Sequence, residues 1–192
     1  MEEKSQWAGE LHELIPKPCR DRPFVCRGLP EMCDVVVVGE NPGTAMKDDW
    51  WRFWDDKKGF DLGKFERAYI EARRLANRRR PIGSVRLRLN RLRLNGLKSL
   101  ETNVFRNEQL GGAGVGVSNE EFLRTFIDRR HLPELKAVIV HGVVAREEWR
   151  RLGLPLPAGI QIHFMVHFSR RVSYSDIDEI SRKIQNPSRS NS

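Results

Sequence analysis

The stretch Asp34 to Phe53, DVVVVGENPGTAMKDDWWRF, decides how the rest of the chain is read. Val35 to Val38 are β-branched residues in succession, closed by Gly39 and followed by turn formers. Such a run predicts a strand buried on both faces. Glu40-Asn41-Pro42-Gly43 then lies at that strand's carboxyl end. Ligands of open α/β sheets bind along this edge, so Gly39 to Gly43 is the first place to look for chemistry.

Working outward, Asp61 is placed to cap a helix in which Phe65, Ala68, Tyr69, Ala72, Leu75 and Ala76 recur at helical spacing. The run Asn77-Arg78-Arg79-Arg80-Pro81 ends it. Ser84 is placed to cap a second helix, with Val85, Leu89 and Leu92 on one side, closing near Asn95-Gly96. Leu97 to Phe105, LKSLETNVF, reads as the next strand. Ser118-Asn119-Glu120-Glu121 has the form of a capping box for a helix carrying Phe122, Leu123, Phe126 and Ile127. Ala137 to Val140 reads as a buried strand, Gly142 to Leu152 as a short helix, and Ile160 to Val166 as another strand. Ser175 to Ile184 reads as a last helix with Ile177, Ile180 and Ile184 inward.

This alternation predicts one three-layer α/β/α domain with a mostly parallel central sheet of about four strands. Residues 1–31, with Pro16, Pro18, Pro23 and Pro30, are expected to form an extended lead-in on the surface. The domain is expected over residues 32–185, and residues 186–192 as a disordered tail.

Thirty-four Lys and Arg against 26 Asp and Glu give a net charge of +8, which favours an anionic partner such as nucleic acid or a membrane surface. The charge is uneven: Arg73 to Lys98 holds ten basic residues and no acidic one. The cysteines are Cys19, Cys26 and Cys33, an odd number with no CxxC pair and no signal peptide upstream. Ordinary thiols in a cytoplasmic protein are expected, with no disulfide framework, no metal and no cofactor. No apolar run approaches the roughly 20 residues of a membrane span.

Neither glycine-rich loop has the form of a phosphate cradle. At Gly39 to Gly43 the middle positions are Glu40, Asn41 and Pro42, which would obstruct the close phosphate approach that G-x-G-x-x-G allows. GGAGVGV, Gly111 to Val117, does not follow a strand directly and reads as a flexible surface loop.

Several motifs taken together carry a resemblance. GENPG follows a hydrophobic strand, and Arg52-Phe53-Trp54 lies just downstream. Thr102-Asn103-Val104 sits on a middle strand, AVIVHG on the next, and His167-Phe168-Ser169 follows the final one. In this order the chain resembles the uracil-DNA glycosylase superfamily from Cys33 to Ile184, and is most similar to its mismatch-specific uracil and thymine branch. The resemblance implies that Asn41 positions the attacking water, since an amide orients water rather than deprotonating it. It implies that His167 hydrogen-bonds the departing base, that Asn103 reads the base's polar edge, and that Ser169 contacts a phosphate. Gly39, Glu40 and Gly43 would border the base, and a glycine at Gly43 would leave room for 5-substituted bases. Taken singly, Asn41 also reads as a turn residue before proline, His167 as a satisfied core histidine, and Asn103 as a strand-end cap.

An enzyme that extracts a base needs a flat apolar surface for it, for which Trp50 and Trp51 are candidates, with Phe53 and Trp54 assigned to the core. The second motif departs from the family in having Phe168 where proline is usual, and the loop after it is short. Arg170 or Arg171 is then placed to act as wedge. Arg78, Arg79 and Arg80 are candidate phosphate contacts, although a bare charge run is usually a solvated helix face. His12, His131, His141 and His163 have no motif support.

The resemblance thus implies a monofunctional DNA glycosylase of base excision repair. It would act by base flipping on DNA carrying a damaged or mismatched base, single- or double-stranded, and leave an abasic site. A monomer is expected, nucleoid-associated if bacterial. Two alternatives stay open: a non-catalytic nucleic-acid-binding member of the superfamily, and an α/β enzyme acting on nucleotides or nucleosides.

Overall fold

The computed structural model describes residues 5–106 and 117–187 and begins with a helix, α1 (Ala8–Leu14), and a short strand, β1 (Phe24–Val25). The valine run is β2 (Val35–Gly39), buried throughout. A 3-10 turn at Trp50–Phe53, the second after one at Pro30–Met32, leads into a small hairpin, β3 (Trp54–Asp55) and β4 (Gly59–Phe60). Then follow α2 (Leu62–Leu75), α3 (Ser84–Leu94), β5 (Ser99–Asn103), α4 (Glu120–Phe126), β6 (Ala137–His141), α5 (Val143–Leu152), β7 (Gln161–Met165) and α6 (Tyr174–Gln185).

The main sheet has the order β1-β5-β2-β6-β7, with β5, β2, β6 and β7 parallel and β1 antiparallel at one edge. Alternation along β2 divides the core between its two faces. Val36 and Val38 join Trp7, Leu11, Phe24, Phe65, Phe122 and Trp149 on one side. Val35 and Val37 join Leu89, Leu92, Ile177, Ile180 and Ile184, from α3 and α6, on the other. The protein is therefore a mixed α/β fold whose mostly parallel sheet is flanked by helices.

Three expectations change on contact with the structure. The lead-in is not an extended surface segment: Trp7 and Leu11 of α1 and Phe24 of β1 have no exposed surface. Trp7 is stacked on Phe126 at 4.2 Å, and its indole N–H donates to the His131 carbonyl at 2.9 Å. The same segment adds an antiparallel edge strand to the four parallel ones, because β1 pairs with β5, Phe24 opposite Thr102. Ser84 is the first residue of α3 rather than its cap, that place falling to Gly83, which has no side chain to offer. The expected box at Ser118 does not form: Asn119 takes the cap position, and Ser118 Oγ accepts from the Glu120 N–H at 3.2 Å, while the Asn119 amide donates to Thr102 Oγ1 (2.9 Å) and the Asn103 carbonyl (3.0 Å). A capping box does form at α6, where Ser173 and Asp176 exchange hydrogen bonds. As expected, Asp61 caps α2 by accepting from the Lys64 N–H at 2.8 Å.

Most of the glycine-rich stretch, 111–116, and the tail beyond 187 lie outside the described residues. Among the described residues no helix is long and apolar enough to cross a membrane.

Candidate active site

The chain leaves β2 toward β5 on one side and later crosses to β6 on the other, so the loop after β2 lies where the connections diverge. A cleft of about 330 Å³ opens there. Its mouth carries Asn41, Pro42 and Gly43 from the loop after β2, Asn103 from the end of β5, His141 from the end of β6, and His167 and Ser169 from the loop after β7. The carboxyl ends of all four parallel strands thus supply the residues around one cavity.

Register explains the convergence. Gly39 lies beside Asn103 across the β2–β5 pairing, and Val38 beside Val140 across β2–β6, which brings His141 level with Gly39. A Cβ on Gly39 would lie 2.7 Å from Asn103 Oδ1 and 3.0 Å from His141 Nε2. Glycine is what lets the amide and the imidazole close over the strand end. Gly142 next to His141 has φ of 101°, a left-handed conformation that turns the chain into α5 beside the His167 ring.

The two imidazoles form one unit. His141 is buried, its ring stacked on Phe168 at 4.2 Å and edge-on to His167 at 4.9 Å. The Phe168 N–H donates to His141 Nδ1 at 3.5 Å, which leaves the hydrogen of the neutral ring on Nε2, the ring nitrogen beside Gly39. Burial, reinforced by His167, holds the His141 pKa down to about 3. Half-buried His167 accepts at Nδ1 from the Ser169 N–H (3.2 Å) and from the Ser169 hydroxyl (2.6 Å), which again places its hydrogen on Nε2. Desolvation lowers its pKa too, against the pull of Glu40 and together with the push of Arg170. Both rings are neutral donors near pH 7. Phe168, where the resemblance leads one to expect proline, forms the platform that holds His141.

Beneath the mouth the cleft runs along the sheet under the start of α3. Its deeper wall holds Arg86 and Glu101, both buried, paired through Arg86 Nη1 at 2.8 Å to Oε1 and 2.6 Å to Oε2. Arg93 also donates to Glu101 Oε1. Burial lowers the pKa of each guanidinium to about 10.

Other residues singled out in the sequence lie elsewhere. Glu40 and Arg170 face a neighbouring cleft of about 470 Å³, which meets the first at His167 and Ser169. Neither Trp50 nor Trp51 reaches the Asn103 and His167 mouth. Trp50 is a core residue, 2% exposed, donating to the Phe24 carbonyl and stacked near Trp54. Trp51 lies flat on His12 at 4.5 Å with Lys17 over it, and its N–H donates to the Pro16 carbonyl. Phe53 is buried as expected, and Trp54 is half-buried.

The arginine run is mostly engaged in structural bonds. Arg74 pairs with Glu71, Arg88 donates to the Val172 carbonyl, and Arg91 pairs with Asp178. Arg78, Arg79 and Arg80 are exposed, and Arg73, which lines the cleft, donates to the Arg80 carbonyl and so ties that turn to the cleft rim. Arg171 is exposed as well.

His141 and Arg86 are the site residues that sequence reasoning missed. Among the described residues no group of three or more His, Cys, Asp or Glu side chains is arranged to hold a metal ion, and Cys19, Cys26 and Cys33 are buried free thiols.

No family model matches the sequence, and no curated protein matches it. Among solved structures the chain is similar to the solution NMR structure of a Methanosarcina acetivorans protein provisionally named a uracil DNA glycosylase, at 16% identity and a TM-score of 0.42, over 86% of this chain and 98% of that one.

Proposed function

We propose that the protein is a monofunctional DNA glycosylase that hydrolyses the N-glycosidic bond of a flipped, deaminated base, uracil first among them. The observation that carries this reading is the convergence of Asn41, Asn103, His141 and His167 at one strand-end cleft, with both imidazoles neutral and donating. A pyrimidine edge presents alternating acceptors and a donor, and the Asn103 amide offers both complements. As the bond from C1′ to the base nitrogen breaks, its electron pair moves onto the base. In this reading the His167 Nε2–H, and beside it the His141 Nε2–H, hydrogen-bond the carbonyl oxygen where that charge collects. Water held by the Asn41 side chain adds to C1′ and gives its proton to solvent, leaving free base and an abasic site. A Cβ on Gly43 would meet nothing within 4 Å, so a 5-substituent on the base has room at the mouth. The exposed Arg78, Arg79, Arg80, Arg170 and Arg171 supply cations for a phosphate backbone.

The test is a single-turnover reaction with excess protein on labelled oligonucleotides carrying uracil, thymine, hypoxanthine or xanthine, each single-stranded and opposite each normal base, followed by alkali. Alkali-labile breaks at uracil are expected, slowed about 100-fold or more by His167→Ala, as for loss of an oxyanion donor. Salt-sensitive retention of every oligonucleotide without breaks would instead make the protein a binding member with no hydrolytic step.

A further inference from the structure

The cleft has a second end that the glycosylase reading leaves unused. The charged side chains lining it are Arg22, Arg73, Arg86 and Glu101, three cations to one carboxylate. The three guanidinium carbons lie 6.0, 5.7 and 5.7 Å from the centre of the Tyr69 ring, so like charges are gathered around one aromatic. Thr44 holds two of them, Arg22 at its carbonyl and Arg73 at its hydroxyl, and Glu101 holds Arg86, so the guanidinium groups are fixed in place along the cleft.

Two independent features point the cluster at a ligand. Arg86 is only 5% exposed, yet its Nε has no hydrogen-bond partner. A buried donor left unpaired is expensive, and the residue that carries it lines the cavity. The other feature is the amino end of α3, eleven residues long, whose Gly83 and Ser84 line the same cleft. Gly83 brings no side chain to cap it, and the positive end of the helix dipole lies at Gly83, Ser84 and Val85 on the cavity wall. Gly83 is required for this approach: a Cβ there would lie 2.8 Å from the Tyr69 hydroxyl and 3.3 Å from Arg73 Nη1.

We propose that this end is a phosphate subsite, formed by Arg22, Arg73, Arg86 and the α3 amino terminus, and that the cleft takes a nucleotide with its base at Asn103 and His167 and its phosphate among the arginines. Glu101, which anchors Arg86, precedes Asn103 by two residues on the same face of β5, roughly 7 Å along the strand. One sugar covers that span. The phosphate subsite stands on its own geometry, whereas the placement of the base rests on the function proposed above. The same chemistry serves a free nucleotide and a nucleotide within a strand.

Calorimetric titrations of the full chain with 2′-deoxyuridine, its 5′- and 3′-monophosphates and a trinucleotide with central deoxyuridine test this, together with phosphorus NMR of inorganic phosphate. At least one phosphorylated form should bind tenfold or more tightly than the nucleoside, and inorganic phosphate should broaden on adding protein and compete. Arg73→Gln, a change at a half-buried position, should abolish both effects, and Gly83→Ala should weaken them. An advantage confined to the monoesters assigns the subsite to a free or terminal nucleotide, and one shared by the trinucleotide assigns it to a strand. Equal binding of nucleoside and nucleotides, no broadening of phosphate, or a preference that survives Arg73→Gln would overturn the subsite. Arg73-dependent phosphate binding without abasic product would sink the glycosylase reading and leave the subsite standing.

Discussion

Replacing His141 by glutamine should flatten the acid side of the stability profile. The folded protein keeps His141 neutral down to a pKa of about 3, whereas an unfolded histidine takes up its proton near pH 6.5. Above pH 6.5 neither state is protonated and the histidine imposes no penalty. As pH falls below 6.5 the unfolded state gains a proton that the folded state refuses, so stability is lost progressively until about pH 3. From pH 6.5 to pH 5 this is one and a half units at ~1.4 kcal/mol each, or about 2 kcal/mol. The ring is 4% exposed, so solvent screening does not discount the figure. The substituted glutamine would keep a donor amide but cannot titrate. Urea unfolding at pH 7 and pH 5 should therefore show the wild type losing about 2 kcal/mol more than the variant over that interval, the carboxylates and remaining histidines contributing equally to both. The variant will be less stable at both pH values because it forfeits the stacking on Phe168, but only the difference matters. Equal losses in the two proteins would refute the buried, neutral imidazole and with it the donor assigned to the cleft.

Two further outcomes follow from the same geometry. Gly39→Ala should force Asn103 aside, because the added Cβ would lie 2.7 Å from its Oδ1 and the stacked His141 ring cannot give way. The 3.0 Å contact with His141 should also lower the urea midpoint, so nucleobase binding is read by calorimetry on the folded variant, where it should weaken tenfold or more; unchanged affinity would remove Asn103 from the base site. Arg86→Met should cost about 3 kcal/mol in urea unfolding, the low end for removing one member of a buried pair, because Arg93 still covers Glu101. The double change Arg86→Met with Glu101→Leu should cost less than the sum of the two single changes, although it leaves Arg93 with Glu66 alone at 3.9 Å, and a fully additive loss would mean that the two charges are not coupled.

The parallel core was legible because its signals are local. Val35 to Val38 and Ala137 to Val140 are apolar runs bounded by turn residues, and the helices carry their apolar stripes in the sequence. The amino-terminal segment was not, since its prolines read as a surface path while the burial of Trp7 and Phe24 depends on partners about a hundred residues away: Phe126 and His131 for Trp7, Phe122 for Phe24. Trp50 and Trp51 were misplaced for the same reason. Their crowding after the loop suggested a surface for a base, whereas Phe24 and His12 from that misread segment are what they pack against.

The site divides along the same line. Asn41, Asn103 and His167 stand in short motifs at strand ends, so order along the chain located them. His141 also ends a strand, and the register of β6 against Gly39 is the signal that would have found it. Arg86 is harder, because within a run of ten basic residues a buried arginine looks like its solvated neighbours. The informative residue is on the other strand. Glu101 is a carboxylate in the middle of the buried strand β5, and a charge in that position must find a cation or lose its proton. Only an arginine from the helix packed on the same face can supply it, which singles out Arg86 and Arg93 from the run and places a cation beneath the cleft. The charge that appears in the composition as general affinity for anions is thus concentrated, at one point, into a buried guanidinium with a donor to spare.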